Sequence, residues 1–515
     1  MAFESDFKPQ LRLHPLSWIF SLTRYVRQFI VPIAAFILFG ARDDGDLWGV
    51  IVVVPLLIGA LWQQWIYRYG FGPRGLVIQD GLIFRNLRLI EYPRIENIDV
   101  ERGVLHRILG VAQVSIATST GGKPEASIRV LSLAAVQELR ERIFQRTEAS
   151  SSGASTTETL DEAVLLKLPP SELIRYGLID NRGIIVVAAM LGFLSQNGKL
   201  IEFLARRAGI WLQHSSVIGF AALGMAMQAA LIAGMIISFI LVLRLLSIGI
   251  ALVTLFDFTL SRHEHDFRIR HGLLTRVSLT LRVRRVQAVH QTATFLHRLF
   301  NRVSLRADLA GDSVGDEEKQ SRSQTRTRWL APICLPQKAT ELISAALPDV
   351  DLSVEPQWQP LAPGARARIF KRSVYLLVLI AIIAVTALHW FPEAPFTPSI
   401  EALGVMIAIA LTVAWARAHL YVKHTRWALT DEAVLFDHGW LTRRLVIAPR
   451  NRLQSVTLSQ SPFDRRSLMA TVALDTAGGS SMRDSIRIAL LPTPVAQRLA
   501  NALYRSRVTD LLRTR

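Results

Sequence analysis

Arg94, Arg285 and Arg452 occupy one position of a pattern that occurs three times in this 515-residue chain. A guanidinium repeated in this way would either face phosphate headgroups or a protein partner, or pin a carboxylate or carbonyl inside each folded copy. The pinning role is the leading expectation, because a repeated fold repeats its structural residues first. Two residues on stand Gln287 and Gln454, but Glu96 in the first copy. A contact made by the glutamine would therefore set the first copy apart. Arg282 and Arg284 crowd Arg285 on what reads as one strand, and Arg443 and Arg444 lie in the corresponding region of the third copy. Each basic residue near an anionic leaflet gains about 1 kcal/mol, so general apposition to the membrane is expected ahead of a headgroup pocket.

His263 and His265 form a His-x-His pair, which a strand would turn to one face, with His271, Glu264 and Asp266 nearby. No further ligand stands at a metal-binding spacing and neither other copy has such a pair, so no metal is expected. Ser278, Ser455 and Ser459 lie in no nucleophile elbow, and the chain has no P-loop or Gly-rich dinucleotide fingerprint. Neither catalysis nor a cofactor is expected. Arg244 is the one charge deep in an apolar run. An intramembrane charge points to function by default, here the handling or transport of a lipid or other hydrophobic substrate. The structural alternatives are that Arg244 faces a helix-bundle interior or marks the end of a span.

Two kinds of element must hold these residues. Hydrophobic residues make up 50% of the chain, charged residues only 19%, and mean hydropathy is +0.30. A soluble chain carries about 25% charge. A single cysteine, Cys334, excludes a disulfide framework. The net charge of +18 suits anionic lipid or nucleic acid; no nucleic-acid-binding motif accompanies it, which leaves the membrane. Six stretches qualify as candidate spans: Gln28–Gly40, Leu47–Tyr67, Asn181–Gln196, Val217–Phe256, Ser373–Trp390 and Ala402–Val422. Ala41–Leu47 is acidic and Phe391–Glu401 has no base, so both turns read as outside. Arginines and lysines flank the other ends and place the domains between the pairs in the cytoplasm. Val217–Phe256 is too long for one span. Either Lys199–Gln213 lies on the outer surface as an amphipathic helix before a span of about Ala229–Phe256, or the run divides at Arg244. The first is preferred, since no Pro or polar turn near Arg244 would reverse the chain.

The polar segments repeat without gaps. Gly81-Leu82-Ile83, Gly272-Leu273-Leu274 and Gly439-Trp440-Leu441 each precede the shared arginine by 13 residues. Leu105-His106-Arg107, Leu296-His297-Arg298 and Phe463-Asp464-Arg465 follow, their arginine again 13 residues on. Leu76–Ile83, Phe267–Leu274 and Trp427–Phe436 read as strands, with hairpin turns at Asp80-Gly81, His271-Gly272 and His438-Gly439. Later strands are expected at Ala112–Thr118, Val303–Ala310 and Thr471–Thr476. Amphipathic helices are expected at Leu133–Gln145, Pro336–Ala346 and Thr493–Tyr504. Short strands closed by one helix suggest a small barrel or sandwich. Basic residues exceed acidic ones by 3 over Trp65–Phe144, by 7 over Thr259–Pro348 and by 5 over His419–Leu503, so the second copy should bind anionic membranes best.

Two spans followed by this unit, with an Arg-aliphatic-Gln-x-aliphatic strand and a later Leu-x-Arg-apolar-apolar turn, resemble the bacterial pleckstrin-homology-like membrane protein family in its three-copy type. The first copy departs at Glu96, and the third at Arg466-Ser467 where an apolar pair is expected. The resemblance implies PH-like folds, inner-membrane residence and pairing with a smaller single-copy PH-like membrane protein; it implies no known activity. The expected protein is thus membrane α-helical plus α+β, and not an enzyme. Its cytoplasmic PH-like domains would contact membrane lipids or a protein, and no nucleic acid. The expected organisation is a transmembrane pair over 17–67, a PH-like domain over 68–146 and a linker over 147–180. A second pair follows over 181–258, with the amphipathic segment 199–213, then a domain over 259–348 with an insertion at 312–328. A linker over 349–370, a pair over 371–422 and a domain over 423–507 complete it.

Overall fold

The computed structural model describes residues 11–12, most of 67–139, 163–196, 224–310 apart from 264–265, 329–390, 400–476 and 486–513, with the isolated residues 202, 206 and 207. The first span pair, the Thr147–Glu158 linker, most of 199–213 and the insertion 312–328 lie outside the described residues. The chain forms two units, Met1–Arg282 and Val283–Arg515, and the division falls inside the second copy.

In the first unit, β1 (Leu11–Arg12), β2 (Arg68–Phe71), β3 (Gly75–Asp80) and β4 (Asn86–Glu91) form one antiparallel sheet in that order. The second sheet begins with β5 (Ile95–Arg102), β6 (Val111–Thr118) and β7 (Ala126–Ser132) of the first copy. It continues through β11 (Arg276–Arg282), β10 (Asp266–His271) and β9 (Thr259–His263) of the second copy to β8 (Ala163–Lys167). Side chains on alternate positions of these strands face one core. Leu76, Ile78 and Ile90 from one sheet meet Ala112, Val114 and Ile116 from the other, with Val136 and Leu139 of a helical stretch over 133–139. The first copy is thus a sandwich of two half-sheets with a helix against it.

The second unit repeats this plan. Its seven-stranded sheet runs β14 (Trp329–Cys334), β13 (Val303–Leu309) and β12 (Val286–Ala293) of the second copy. Next come β18 (Arg443–Pro449), β17 (Ala433–His438) and β16 (Arg426–Leu429) of the third, ending at β15 (Gln359–Pro360). A last sheet holds β19 (Leu453–Ser459), β20 (Met469–Thr476) and β21 (Ile486–Pro492). Trp427, Phe436 and Val446 pack with Val472, Ile488 and Leu499, the last from the helix Thr493–Arg513.

Several expectations are corrected. Among the described residues none of the sheets closes into a barrel; instead two sheets are each shared by neighbouring copies. Trp427–Phe436 is not one strand, because Thr430 caps a turn, its Oγ1 accepting from the Ala433 amide at 3.0 Å. Phe267–Leu274 ends as a strand at His271, where Gly272 takes φ +110°. Residues 163–179, expected within a linker, form β8 and the helix Pro170–Ile179, and the expected linker over 349–370 contains β15 and the start of the helix Ala365–Trp390. The C-terminal helix runs to Arg513, well past Tyr504.

β1, β8 and β15 precede the three apolar regions and pair with β2, β9 and β16, which follow them. Arg12 lies opposite Arg68, Lys167 opposite Thr259, and Pro360 opposite Arg426, at equivalent positions of each copy. The helix Met225–Leu255 is unbroken at Arg244. It approaches the helix Arg182–Gln196 so closely at Gly183 that a Cβ there would lie 2.4 Å from the Leu243 carbonyl oxygen. Met225–Leu255 and Leu403–His424 are the described helices long and apolar enough to cross a membrane. Both leave large apolar side chains outward, among them Ile237, Phe239, Val405 and Ile409.

Candidate functional site

The repeated motifs meet where one copy joins the next. Between β5 and β11, Arg102, Glu101 and Val100 lie opposite Arg276, Val277 and Ser278. Between β12 and β18, Ala293, Thr292 and Gln291 lie opposite Arg443, Arg444 and Leu445. By the repeat spacing these are the same three pairs, so the two joints share one register. A side-chain bond repeats with them. Arg107 donates from a guanidinium nitrogen to the Leu273 carbonyl at 3.2 Å. Arg298 donates to the carbonyls of Trp440 at 2.8 Å and Leu441 at 3.3 Å. The Leu-x-Arg turn of one copy therefore grips the Gly-x-x turn of its successor. A short helix presents the arginine in each case, Val104–Ile108 and Phe295–Leu299, and the second is held by a capping box between Thr294 and His297.

The shared arginines do structural work in the copies where they are described; Arg94 lies outside the described residues. Arg285 donates to the Ala310 carbonyl, closing its own half-sheet. Arg452 reaches the carbonyls of Val283 and Val286 in the preceding copy and the Asp349 carboxylate at 2.9 Å. Gln287 is buried and reaches the Arg285 carbonyl at 3.4 Å, whereas Gln454 is exposed. Glu96 belongs to β5. Arg282, Arg284 and Arg285 do not share a strand: Arg282 ends β11, and the other two lie in a 3₁₀ turn, Val283–Arg285. Arg284 and Arg444 are exposed.

Arg443 is occupied by a residue that sequence reading passed over. Asp437 is 2% exposed and takes Arg443 at 2.9 Å and Arg426 at 3.0 Å. The carboxylate raises the Arg443 pKa by its hydrogen bonds. Arg426 also lies over the Trp358 ring at 4.2 Å. The only sequence signal was an acidic residue beside the His-Gly turn, which resembles many exposed turn residues.

The histidines divide as well. His265 and Glu264 lie outside the described residues, and the described residues contain no group of three or more His, Cys, Asp or Glu able to hold a metal. His271 hydrogen-bonds through Nδ1 to the Thr254 carbonyl at 2.8 Å, at the end of the Met225–Leu255 helix. Burial holds its pKa down. His438 stacks on Phe436 at 4.6 Å, and its pKa falls to about 4 through burial first and the Arg444 charge second. A depressed histidine favours the neutral folded form. Its stabilisation is complete above about pH 6.5, the unfolded value, and is lost as pH falls toward 4, because the unfolded chain then binds the proton first. The expected loss is about 2 kcal/mol after allowing for residual solvent contact. It should appear as a falling thermal midpoint in detergent between pH 7 and 4.5, and His438→Gln should flatten that slope.

Arg244 is half-buried and faces the end of another helix. It donates to the carbonyls of Leu178 at 3.0 Å and Asp180 at 3.3 Å, and to the Asn181 side-chain oxygen at 2.9 Å. The last carbonyls of a helix have no intrahelical partner, so a cation there satisfies them and the helix dipole together. Arg244→Ala should cost about 1–2 kcal/mol of stability and Arg244→Lys less than half of that, read as thermal midpoints in detergent. Equal midpoints for Ala and wild type would remove this role.

A model of the bacterial PH domain family matches residues 26–147, 213–329 and 371–507. The chain is also similar to the UPF0699 transmembrane protein YdbT of Bacillus subtilis (strain 168), at 21% identity over 496 residues, which cover 92% of this chain and 94% of the relative. No solved structure matches it significantly.

Proposed function

Because this chain belongs to the bacterial PH domain family, we propose that it is a polytopic inner-membrane scaffold whose three PH-like domains form one cytoplasmic platform for a membrane-protein partner beside the anionic leaflet. The observation that carries this reading is the repeated joint. One seven-stranded sheet is continuous from the first copy into the second and another from the second into the third, a coupling that a platform would use and independent lipid-binding modules would not need. The strand pairings that bracket the apolar regions support a common side. Hydrogen-bonded strands cannot lie on opposite faces of a bilayer, so β8·β9 and β15·β16 each favour an even number of crossings between their strands. The relative's description as a transmembrane protein agrees with membrane residence.

The partner that the family resemblance implies is a smaller single-copy PH-like membrane protein. Exposed Arg284 and Arg444 would add leaflet attraction, screened over about 8 Å at physiological salt. Affinity purification in mild detergent followed by mass spectrometry should recover a stoichiometric membrane partner. Recovery of none in several detergents would count against the scaffold. Reporter fusions after Arg140, Arg326 and Leu499 should report cytoplasm, and one after Asp44 periplasm. A periplasmic signal at Arg326 would defeat the shared platform.

A further inference from the structure

Each internal joint uses two complementary halves, and one half of each kind is left over. The donor half is the strand following the shared arginine together with the Leu-x-Arg turn: β5 with Arg107, and β12 with Arg298. Its third example is β19 with Arg465. β19 ends its sheet, and Arg465 is exposed and has no side-chain partner among the described residues. The acceptor half is the strand preceding the shared arginine, β11 or β18, and its third example is β4, which likewise ends its sheet. Among the described residues no strand lies along the outer edge of either β4 or β19.

The side chains on these two edges fit the missing contact. In the β12·β18 joint, Val289 and Ile447 are opposite one another and are 0% and 2% exposed. The positions that correspond to them are Val456 in β19 and Leu89 in β4, and Leu89 is 45% exposed. The next pair along the same face is Leu458, 40% exposed, and Leu87, 51% exposed. Gln454 is exposed where its equivalent Gln287 is covered. Long edges with outward apolar side chains invite strand addition, and proteins ordinarily block them with charge, bulges or a covering element.

We infer that the β19 edge of one chain pairs antiparallel with the β4 edge of a second copy of this chain, in the register of the internal joints. Ser459 then lies opposite Asn86 of the second copy, Leu458 opposite Leu87, Thr457 opposite Arg88 and Val456 opposite Leu89. A second copy is the occupant because the two unused halves belong to the same chain and match each other as their equivalents match inside it. The contact is head-to-tail, so it propagates to a ring or a linear array rather than stopping at a two-fold dimer.

Cysteine cross-linking in membranes tests both partner and register. Cys334, the chain's only cysteine, is buried and can stay in place. Opposite positions in an antiparallel pair have Cα atoms about 4.5–5.5 Å apart, within disulfide reach. Differently tagged full-length chains carrying Leu458→Cys and Leu87→Cys should cross-link when co-expressed, and neither variant should cross-link with itself. Leu458→Cys with Asn86→Cys should fail, because a one-residue slip sends the side chain to the other face. Adding Leu458→Lys to a Val456→Cys chain should cut its cross-linking to Leu89→Cys about tenfold, since a charge would face the apolar pair. The inference is overturned if the heterotypic cross-link is absent. It is equally overturned if a chain carrying both Leu458→Cys and Leu87→Cys links only within itself, or if linkage appears only with a different PH-like protein.

Discussion

Val289→Pro should cost at least about 3 kcal/mol and loosen β12 and β18 together. Val289 is fully buried in a central strand, opposite Ala307 on one side and Ile447 on the other. Proline there removes a ladder donor, and its ring crowds a neighbouring strand on whichever side it faces. Val289→Ala is the control: it loses about 2 kcal/mol of packing but keeps the backbone ladder. Amide hydrogen exchange in detergent separates the two effects. With proline, exchange should accelerate in β12 and β18 while β20 stays protected. With alanine, protection should fall evenly across the unit. If β18 stayed protected in the proline variant, the joint would not be what holds the third copy to the second.

The second large effect is expected at the Gly272 turn. Gly272 has φ +110°, and a Cβ there would lie 2.0 Å from the Thr275 carbonyl oxygen. Valine would meet both the left-handed backbone penalty and a clash with main chain that cannot rotate away, together about 3 kcal/mol. More than a hairpin depends on this turn. The Gly272 amide donates to the Phe256 carbonyl at 2.8 Å and the Leu273 amide to the Val253 carbonyl at 3.0 Å, capping the Met225–Leu255 helix. The Leu273 carbonyl also receives Arg107 of the first copy. Gly272→Val should therefore lower the thermal midpoint and release both the helix end and the β5·β11 joint. Adding Arg107→Ala to it should then cost little more, because residues acting through one turn are not additive. Gly439→Val, at φ +90° and 2.2 Å from the Thr442 carbonyl oxygen, should lower the midpoint comparably. An unchanged midpoint in either variant would show that the turn can reshape freely.

Both sites were visible in the sequence as positions without their purpose. The glycine spacing marked the turns, since a His-Gly or Asp-Gly step suits a positive φ, and the Leu-x-Arg triplets marked a second recurring turn. What escaped was that the two turns bind each other across copies. A hydrogen bond from arginine to a backbone carbonyl leaves no signature at the acceptor, because every residue has that oxygen. Asp437 escaped for a related reason: burial beneath Arg426 and Arg443 is a property of the folded sheet, not of the residue type.

The sequence by itself determined the threefold repeat, the recurring turns, the apolar runs and the family. These follow from local periodicity, turn chemistry and spacing, which a chain carries before it folds. Tertiary structure alone decided how the half-sheets are distributed. Strand edges are bonded through main-chain amides and carbonyls, so a strand such as β5 has the same alternation whether it closes its own copy or extends the next one. The choice between a closed barrel and a shared open sheet therefore rests on the packing of whole sheets. Arg244 follows the same division: its charge in an apolar run was plain from sequence, but the helix end that it satisfies lies 63 to 66 residues away.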